Sequence, residues 1–425
     1  MSPARACAFA AVRRVFEQGA YADRAFAAEA RRLGLDPRDR ALAMRIAYGT
    51  VQRRRALDHV AGRLVRRPLA ELEPAVLAAL RIGLFQLLYL DAVGAHAAVN
   101  ESVELVKQAS PGGAGLINAV LRRAVGEGPE IVGALDDRDP AAASIMHSVP
   151  EWLAELWWRE LGTGEARALL RRINEPPESA IRANTLLAPA DQVAGVIGVP
   201  NHPAPGLPEG LVLDGPFDAE GSALWRDGAI MPQSRGSMAA ARELAPQPGE
   251  RVLDLCAAPG AKTTHLAALL EDDGVVVAVE RNSGRARGLE QTAARMHASC
   301  VRVELGDAAA PRADPPFDRV LVDPPCSGLG TLQSRPDLRW RASPEAIAEL
   351  SELQQRIVAA GASALAPGGV LVYSVCTISS AESERVIDRL LVDRQELELE
   401  RATQLLPHRD GTDGFFIARL RRPAR

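Results

Sequence analysis

Two cysteines in short loops of the C-terminal half have the surroundings that covalent catalysis needs. Cys326 lies in the loop at 323–328, which reads Asp-Pro-Pro-Cys-Ser-Gly, and Cys376 lies in the segment 373–377, Tyr-Ser-Val-Cys-Thr. A cysteine becomes a strong nucleophile as its thiolate, which positive charge or a helix N-terminus stabilises. A lone cysteine is more often a small buried hydrophobe. Two of them in Pro-, Gly- and Ser-containing loops after predicted strands favour nucleophilic catalysis.

A third loop, at 254–263, predicts a cofactor site. Its sequence is Asp-Leu-Cys-Ala-Ala-Pro-Gly-Ala-Lys-Thr, and Gly260 lets the backbone approach a ligand at the start of the next helix. Glu280 follows Gly260 by twenty positions, the spacing at which doubly wound folds place a ribose-binding carboxylate. Asp307 follows the next strand and is expected to face an adenine ring. The glycine fingerprint of dinucleotide sites is absent, so a typical dinucleotide is not predicted.

Lysine usage supports a special role for the cofactor loop. The chain has two lysines, Lys107 and Lys262, beside 48 arginines. A chain that uses arginine almost everywhere else indicates that a compact ammonium is needed at Lys262.

Residues from 250 onward alternate regularly between short β-branched segments and helical patterns, which predicts a doubly wound, mostly parallel sheet covered on both faces. Loops at the carboxyl ends of such strands meet at one edge, where ligands bind. The predicted strands are 251–255, 275–279, 300–304, 319–322, 370–373, 397–399 and 414–420, and the predicted helices lie near 262–270, 283–297, 344–365 and 379–392.

The first part of the chain has a different pattern. From Pro3 to about Val125, apolar residues recur with the helical period and no strand-like alternation occurs, so an all-α bundle is predicted. Residues 126–140, rich in Gly, Asp and Pro, predict a linker. A helix after Pro150 carries Trp152, Trp157 and Trp158, which favour a core role over base stacking. Strand-like pieces at 180–183 and 210–213 then predict a small α+β module.

Charge is distributed unevenly along the chain. The net charge is −4, yet residues 1–130 carry 19 Lys and Arg against 13 Asp and Glu. This balance fits a polyanion partner or a solvated helix face, and charge alone does not separate the two. We expect phosphate contacts from the module around Arg182 and from a cluster of arginines: Arg53, Arg54, Arg55, Arg63, Arg66 and Arg67.

Composition excludes several classes of protein. Apolar runs fall short of the ~20 residues that span a bilayer, and the N-terminus lacks the pattern of a signal peptide, so a cytoplasmic protein is predicted. The five cysteines are widely spaced without any C-x-x-C pattern, which predicts neither a disulfide framework nor a metal site.

The loops at 254–263, 323–328 and 373–377 resemble the signature loops of RNA cytosine-C5 methyltransferases. The N-terminal part is similar to the RNA-binding NusB fold, and the combination resembles the RsmB (Fmu) family of 16S ribosomal RNA methyltransferases. The NusB-like matches are 38–40, 48–50, 80–83, 96–101 and 118–123, and further family matches are 150–152, 182–185 and 413–416.

The resemblance implies a multidomain chain with an all-α NusB-like RNA-binding bundle at 1–128, a small α+β RNA-recognition module at 142–235 and an α/β Rossmann-like methyltransferase domain at 236–425. It implies S-adenosyl-L-methionine as cofactor, and 16S ribosomal RNA, before subunit assembly is complete, as partner of a monomer that binds neither DNA nor membrane. The implied cofactor contacts are Cys256, Ala257, Ala258, Pro259, Gly260, Ala261, Lys262, Glu280, Asp307 and Asp323.

The resemblance also implies roles in catalysis. Cys376 would attack C6 of cytosine, Cys326 would assist breakdown of the adduct, and Asp323 would hydrogen-bond the base. A DNA cytosine methyltransferase would use Cys326 as nucleophile instead, and the second cysteine loop and the NusB-like part argue against it. A non-catalytic RNA-binding factor would be expected to have lost some of these groups. An amino-methylating enzyme normally has an aromatic residue where Cys326 stands.

Overall fold

The computed structural model describes residues 2–313 and 316–424. Its secondary structure consists of helices up to residue 172, then a short mixed segment, then alternating strands and helices. The first ten helices are α1 Pro3–Gln18, α2 Ala22–Leu33, α3 Pro37–Gln52, α4 Arg54–Leu64, α5 Pro74–Tyr89, α6 Ala95–Ala109, α7 Ala114–Gly133, α8 Pro140–Met146, α9 Glu151–Leu161 and α10 Thr163–Arg172.

The remaining elements follow in chain order. The mixed segment contains β1 Ser179–Ala183, α11 Ala190–Val196, β2 Asn201–Pro203, β3 Gly210–Leu213, α12 Ala223–Arg226 and β4 Ile230–Pro232. The last segment contains α13 Arg235–Leu244, β5 Arg251–Leu255, α14 Ala261–Leu269, β6 Val275–Glu280, α15 Ser283–Arg295, β7 Val301–Leu305, β8 Phe317–Val322, α16 Leu338–Arg341, α17 Pro344–Ala364, β9 Leu365–Val375, α18 Glu384–Asp393, β10 Glu398–Leu405, α19 Pro407–Asp410 and β11 Phe415–Arg421.

The predicted all-α character of the N-terminal part is confirmed. Helix α1 begins where the Ser2 hydroxyl accepts a hydrogen bond from the Arg5 backbone N–H, and it ends at Gly19 in the left-handed conformation. Helix α5 is buried around most of its circumference, and Leu80 and Leu84 are fully inaccessible. Such a helix is stable at the centre of a bundle, because neighbouring helices cover every face.

The predicted linker at 126–140 is wrong over its first half, because α7 continues to Gly133 and includes Pro129. Packing against the bundle explains the difference. Ile131 and Val132 pack against the N-terminal core, and a Cβ on Gly128 would lie 2.8 Å from Leu88 Cδ2. These contacts outweigh the low helix propensity of glycine and proline.

The chain divides into two compact units. The first extends to Glu175 and includes Leu332–Arg341, and the second comprises Pro176–Thr331 and the chain from Ala342. Helices α8–α10 therefore group with the N-terminal helices rather than with the middle module that the sequence indicated. Arg339 is fully buried within the first unit, where it donates hydrogen bonds to the Ser148 carbonyl at 3.1 Å and Asn174 Oδ1 at 3.0 Å.

Two sheets make up the second unit. An antiparallel sheet has the order β2-β3-β1-β4, as expected for a small α+β module. The larger sheet has the order β10-β11-β9-β8-β5-β6-β7. Its five strands β9, β8, β5, β6 and β7 are parallel to one another, and β11 is antiparallel to both of its neighbours, β9 and β10. The predicted doubly wound, mostly parallel sheet is confirmed.

Strand residues alternate between the two faces of the larger sheet. Leu253 and Leu255 of β5 belong to the core that includes residues of α17 and α18, whereas Val252 belongs to the core beside α13 and α14. Both faces are buried, so the loops after the parallel strands emerge at one edge. Across the described ranges, none of the helices combines the length and apolar character needed to cross a bilayer.

Candidate active site

The two loop cysteines lie side by side. Cys326 Sγ and Cys376 Sγ are 3.4 Å apart, within hydrogen-bond distance for sulfur. The hydrogen bond with Cys326 lowers the pKa of the Cys376 thiol and outweighs burial, which raises it. The Asp323 carboxylate also raises this pKa, and the Lys262 ammonium partly offsets that effect. The same contact, together with burial, raises the pKa of Cys326 well above its usual value. The pair therefore favours a thiolate at Cys376 beside a protonated thiol at Cys326.

Lys262 and Asp323 form an ion pair beside the thiols. Lys262 Nζ lies 2.8 Å from Asp323 Oδ2 and 5.1 Å from the centre of the Phe415 ring. Ser374 Oγ donates to Asp323 Oδ1 at 3.1 Å. Burial would lower the pKa of Lys262, but the attraction of Asp323 prevails and raises it. The lysine thus stays charged at neutral pH, and its charge counters the effect of the Asp323 carboxylate on the Cys376 thiol.

The loop after β5 is held close to the sheet. Gly260 has φ +106°, and a Cβ there would lie 2.6 Å from Leu289 Cδ1, so this tight entry to α14 requires glycine. Thr263 Oγ1 donates to Asp254 Oδ2 at 2.6 Å. Burial raises the pKa of Asp254 to about 7, and its Oδ1 has no hydrogen-bond partner. Thr263 Oγ1 also lies 3.3 Å from the Ala257 carbonyl, to which it can donate, so this side chain of α14 connects the loop backbone to β5.

A narrow cleft lies beside this loop. Cys256, Glu280 and Asp307 line it, together with the apolar side chains of Ala308, Leu353 and Ile357. Glu280 is 2% exposed, and its Oε1 accepts the Asn282 backbone N–H at 2.9 Å. Burial raises the pKa of the Cys256 thiol to about 12. Cys256 therefore stays protonated and is a lining group rather than a nucleophile.

The predicted site residues form two neighbouring groups. Cys256, Glu280 and Asp307 line the cleft, and Lys262, Asp323, Cys326 and Cys376 form the reactive cluster. Pro325, directly before Cys326, also lines the cleft and joins the groups. In the loop between them, Ala257, Ala258 and Gly260 are buried, Ala261 is half-buried and Pro259 is exposed. Within the described residues, no cluster of ligating side chains suits a metal ion.

Phosphate contacts from the module around Arg182 stay a prediction, but the Arg182 side chain itself is not exposed to make one. Arg182 is fully buried in β1 and donates to Gln233 Oε1 at 2.8 Å and Thr264 Oγ1 at 2.9 Å. It joins the small sheet to α14, the helix that follows the cofactor loop. Burial also lowers the pKa of its guanidinium to about 9.

The N-terminal arginine cluster is divided by the fold. Arg53 lies over the Tyr89 ring at 4.9 Å and Arg54 over the Phe16 ring at 5.1 Å, so both are engaged in packing. Arg63, Arg66 and Arg67 are exposed and form no ion pair in the part of the chain that the structure describes. Among the tryptophans, Trp157 is completely buried, which confirms its predicted core role.

Sequence reasoning missed a buried carboxylate beneath the two cysteine loops. Glu382 is 0% exposed and accepts hydrogen bonds from Ser327, Gln354 and Thr377. Glu382 stands six positions after Cys376 in a serine-rich stretch that resembles an ordinary helix start. The sequence gives only a weak indication that Glu382 is buried, because the residues that donate hydrogen bonds to it lie on other elements.

Comparisons with known proteins identify two families along the chain. The family described as "16S rRNA methyltransferase RsmB/F" matches residues 241–421, and the NusB family matches residues 2–125. A crystal structure of the protein PH0851 superimposes with a TM-score of 0.85, at 27% identity over 99% of both chains.

Two relatives align with most of the chain. A probable ribosomal RNA small subunit methyltransferase B of Synechocystis sp. is 35% identical over 99% of this chain and 100% of the relative. A ribosomal RNA small subunit methyltransferase B of Thermus thermophilus is 36% identical over 91% of this chain and 89% of the relative. The chain therefore belongs to the RsmB/F family of 16S ribosomal RNA methyltransferases, which depend on S-adenosylmethionine.

Proposed function

We propose that the protein methylates C5 of a cytosine in 16S ribosomal RNA through a covalent bond between Cys376 and C6 of the base. The observation that carries the proposal is the contact of 3.4 Å between the two thiols, with Lys262 held beside them by Asp323. A C5 methyltransferase needs one thiolate that attacks and a second group that helps the adduct to break down, and this cluster can supply both.

The cleft has a donor set that fits the cofactor. Glu280 and Asp307 offer carboxylate oxygens to ribose hydroxyls and to an amino group of adenine, while Ala308, Leu353 and Ile357 offer apolar surface to the purine. The unpartnered Asp254 Oδ1 adds a buried polar atom below the loop. We assign the loop from Cys256 to Lys262, with Asp323, to the remaining contacts. When bound, S-adenosylmethionine supplies a methyl group on a positively charged sulfur.

The first chemical task of the protein is to activate C5, which is a weak nucleophile in cytosine. The Cys376 thiolate forms a bond to C6, and the electrons of the C5–C6 double bond move onto C5, which then takes up the methyl group. A proton at N3 offsets the charge that develops on the ring. Asp323, fixed by Lys262 and Ser374, accepts a hydrogen bond from this protonated edge and stabilises it.

The second task is to release the product. A base removes the proton from C5, the electron pair of that C–H bond restores the double bond, and the S–C6 bond breaks. Cys326 remains protonated because its pKa is raised, and its sulfur lies 3.4 Å from the departing sulfur of Cys376. It can therefore donate a hydrogen bond to the leaving thiolate.

The substrate must present a cytosine outside the base stack, because attack at C6 occurs from the face of the ring. We propose an RNA that is still single-stranded or splayed at the target, as in 16S ribosomal RNA before subunit assembly is complete. Arg63, Arg66 and Arg67 are exposed and suited to phosphate contacts. We propose that the protein acts as a monomer and on RNA rather than DNA.

Nucleoside analysis tests this function. The protein is incubated with methyl-labelled S-adenosylmethionine and either 16S ribosomal RNA or DNA of the same sequence, and the digested nucleosides are separated. We expect label in 5-methylcytidine from the RNA alone. Label in N4-methylcytidine would contradict the reaction, and label in the DNA sample would contradict the choice of substrate.

A further inference from the structure

A buried hydrogen-bond network centred on Glu382 connects the two cysteine loops. Glu382 Oε1 accepts the Ser327 backbone N–H at 2.8 Å and Gln354 Nε2 at 3.0 Å. Its Oε2 accepts the hydroxyls of Ser327 at 2.5 Å and Thr377 at 3.0 Å. Both carboxylate oxygens are thus fully engaged, in a residue that is 0% exposed.

The donors to this carboxylate include the residues that directly follow each cysteine. Ser327 follows Cys326, Thr377 follows Cys376, and their two hydroxyl oxygens lie 2.8 Å apart. Gln354 extends the connection to the Cys326 loop by donating to the Pro325 carbonyl at 2.9 Å. Glu382 therefore contacts both loops one residue away from their sulfur atoms.

The position of Glu382 is itself fixed by the sheet. The Tyr373 hydroxyl donates to the Glu382 carbonyl at 2.7 Å and to Gln354 Oε1 at 3.2 Å, and Tyr373 is fully buried in β9. A buried polar network is rigid when each of its polar groups has a hydrogen-bond partner. Removing one member leaves others without a partner, which destabilises the folded protein. The network therefore couples a rigid strand to two loops.

We propose that Glu382 is a positioning residue, which holds the Cys326 and Cys376 loops at the separation and orientation that thiol addition and release require. This inference rests on the proposed covalent function. Glu382 does not line the cofactor cleft, so we expect it to affect the rate of the chemical step rather than the affinity for the cofactor.

Three variants distinguish a positioning role of Glu382 from a role in the stability of the fold. Glu382→Ala removes all four hydrogen bonds, whereas Glu382→Gln keeps an amide oxygen for the two N–H donors and lets the two hydroxyls rotate to accept. Glu384→Gln is the matched control, because Glu384 is exposed and lies two positions away. Steady-state kinetics with RNA and calorimetry with S-adenosylmethionine are measured for each variant, and circular dichroism checks folding.

We expect Glu382→Ala to lower kcat about 100-fold, as a displacement of about 1 Å at reacting groups does. The KM for RNA and the Kd for cofactor should stay within about threefold, since the missing interaction acts on the chemical step. Glu382→Gln should retain at least about a tenth of the wild-type kcat, and Glu384→Gln should match the wild type. A fall in kcat that is equal for Gln and Ala, or that follows the folded fraction, would overturn the positioning role.

If Glu382→Ala does not fold, variants that remove one hydrogen bond each replace it. Ser327→Ala and Thr377→Val each remove one hydroxyl from the carboxylate and retain the backbone. We expect each to lower kcat, and their effects to be non-additive with Glu382→Gln because all three share one network. Strictly additive effects would overturn the proposal.

Adduct formation distinguishes this inference from the proposed function. In Cys326→Ala protein, the covalent function predicts a trapped protein–RNA adduct, and adding Glu382→Ala should slow its formation about 100-fold. If Cys326→Ala traps no adduct, the proposed covalent role of Cys376 fails. If the adduct forms equally fast with and without Glu382, the positioning role alone is wrong.

Discussion

Substituting Gly330 should disable catalysis, because three backbone segments meet at this residue. The Gly330 N–H donates to the Cys376 carbonyl at 3.0 Å, and the Gly330 carbonyl accepts the Gly414 N–H at 2.8 Å. A Cβ on Gly330 would lie 1.9 Å from the Gly414 carbonyl oxygen. The next residue, Phe415, lies under the Lys262 ammonium.

The expected magnitude follows from this distance. Real Cβ atoms essentially never approach closer than 3.0 Å, so the backbone around Gly330 or Gly414 must move by about 1 Å in Gly330→Ala. A displacement of that size at reacting groups costs about 100-fold in rate, or ~2.7 kcal/mol of activation free energy. We expect kcat to fall by this factor, because the movement is transmitted to Cys376 and Phe415.

The assay compares methyl transfer to 16S ribosomal RNA by the wild type, by Gly330→Ala and by a control. Gly288→Ala is the matched control: this glycine lies in α15, and a Cβ there would have no atom within 4 Å. It should retain full activity and gain about 0.4–1 kcal/mol of stability. If Gly330→Ala folds and keeps wild-type kcat, the argument that these segments position the nucleophile is refuted.

Three further predictions follow from the cleft, the exposed arginines and the thiol pair. Glu280→Ala should weaken S-adenosylmethionine binding by about 1–3 kcal/mol in calorimetry, and an unchanged Kd would remove Glu280 from the site. Substituting both Arg66 and Arg67 with glutamine should make the slope of log binding constant against log salt concentration for RNA shallower by about 1 for each phosphate that is no longer neutralised. An unchanged slope would mean that the RNA does not contact these two arginines. Alkylation of Cys376 by iodoacetamide, followed by mass spectrometry, should rise with pH as the thiolate forms. Its midpoint should move to higher pH in Cys326→Ala, because the hydrogen bond that lowers the pKa of Cys376 is removed. A midpoint that falls or stays would contradict this effect of Cys326 on Cys376.

Strands of the larger sheet could be predicted from the sequence because each is a short buried run with a local signal. The strand at 251–255 matches β5 in both bounds, and the loops after β5 and β8 emerge where the topology requires. Helix α7 could not be predicted to its end. Its last part has glycine and proline in the sequence, and contacts with Leu88 and the bundle core stabilise it.

The reactive residues could be identified from the sequences of their loops. The distances and contacts between their side chains could not be predicted. The 3.4 Å contact between Cys326 and Cys376 depends on the pairing of β8 with β9, which brings together residues fifty positions apart. The burial of Arg182 is not evident from the sequence either, because arginines are mostly exposed and this one is buried where α14 packs against the small sheet. The burial of Glu382 is likewise not evident from the sequence, because Ser327 and Gln354, which donate hydrogen bonds to it, lie far from it along the chain.

Trapping of a protein–RNA adduct shows directly which of the two thiols forms the bond to cytosine. Cys376→Ala and Cys326→Ala proteins are each incubated with 16S ribosomal RNA and S-adenosylmethionine, and the mixtures are separated on denaturing gels. We expect an adduct with Cys326→Ala, where methyl transfer occurs and release is slow, and none with Cys376→Ala. An adduct with Cys376→Ala and none with Cys326→Ala would reverse the two roles. Undiminished methylation by both variants without any adduct would contradict covalent catalysis by this thiol pair.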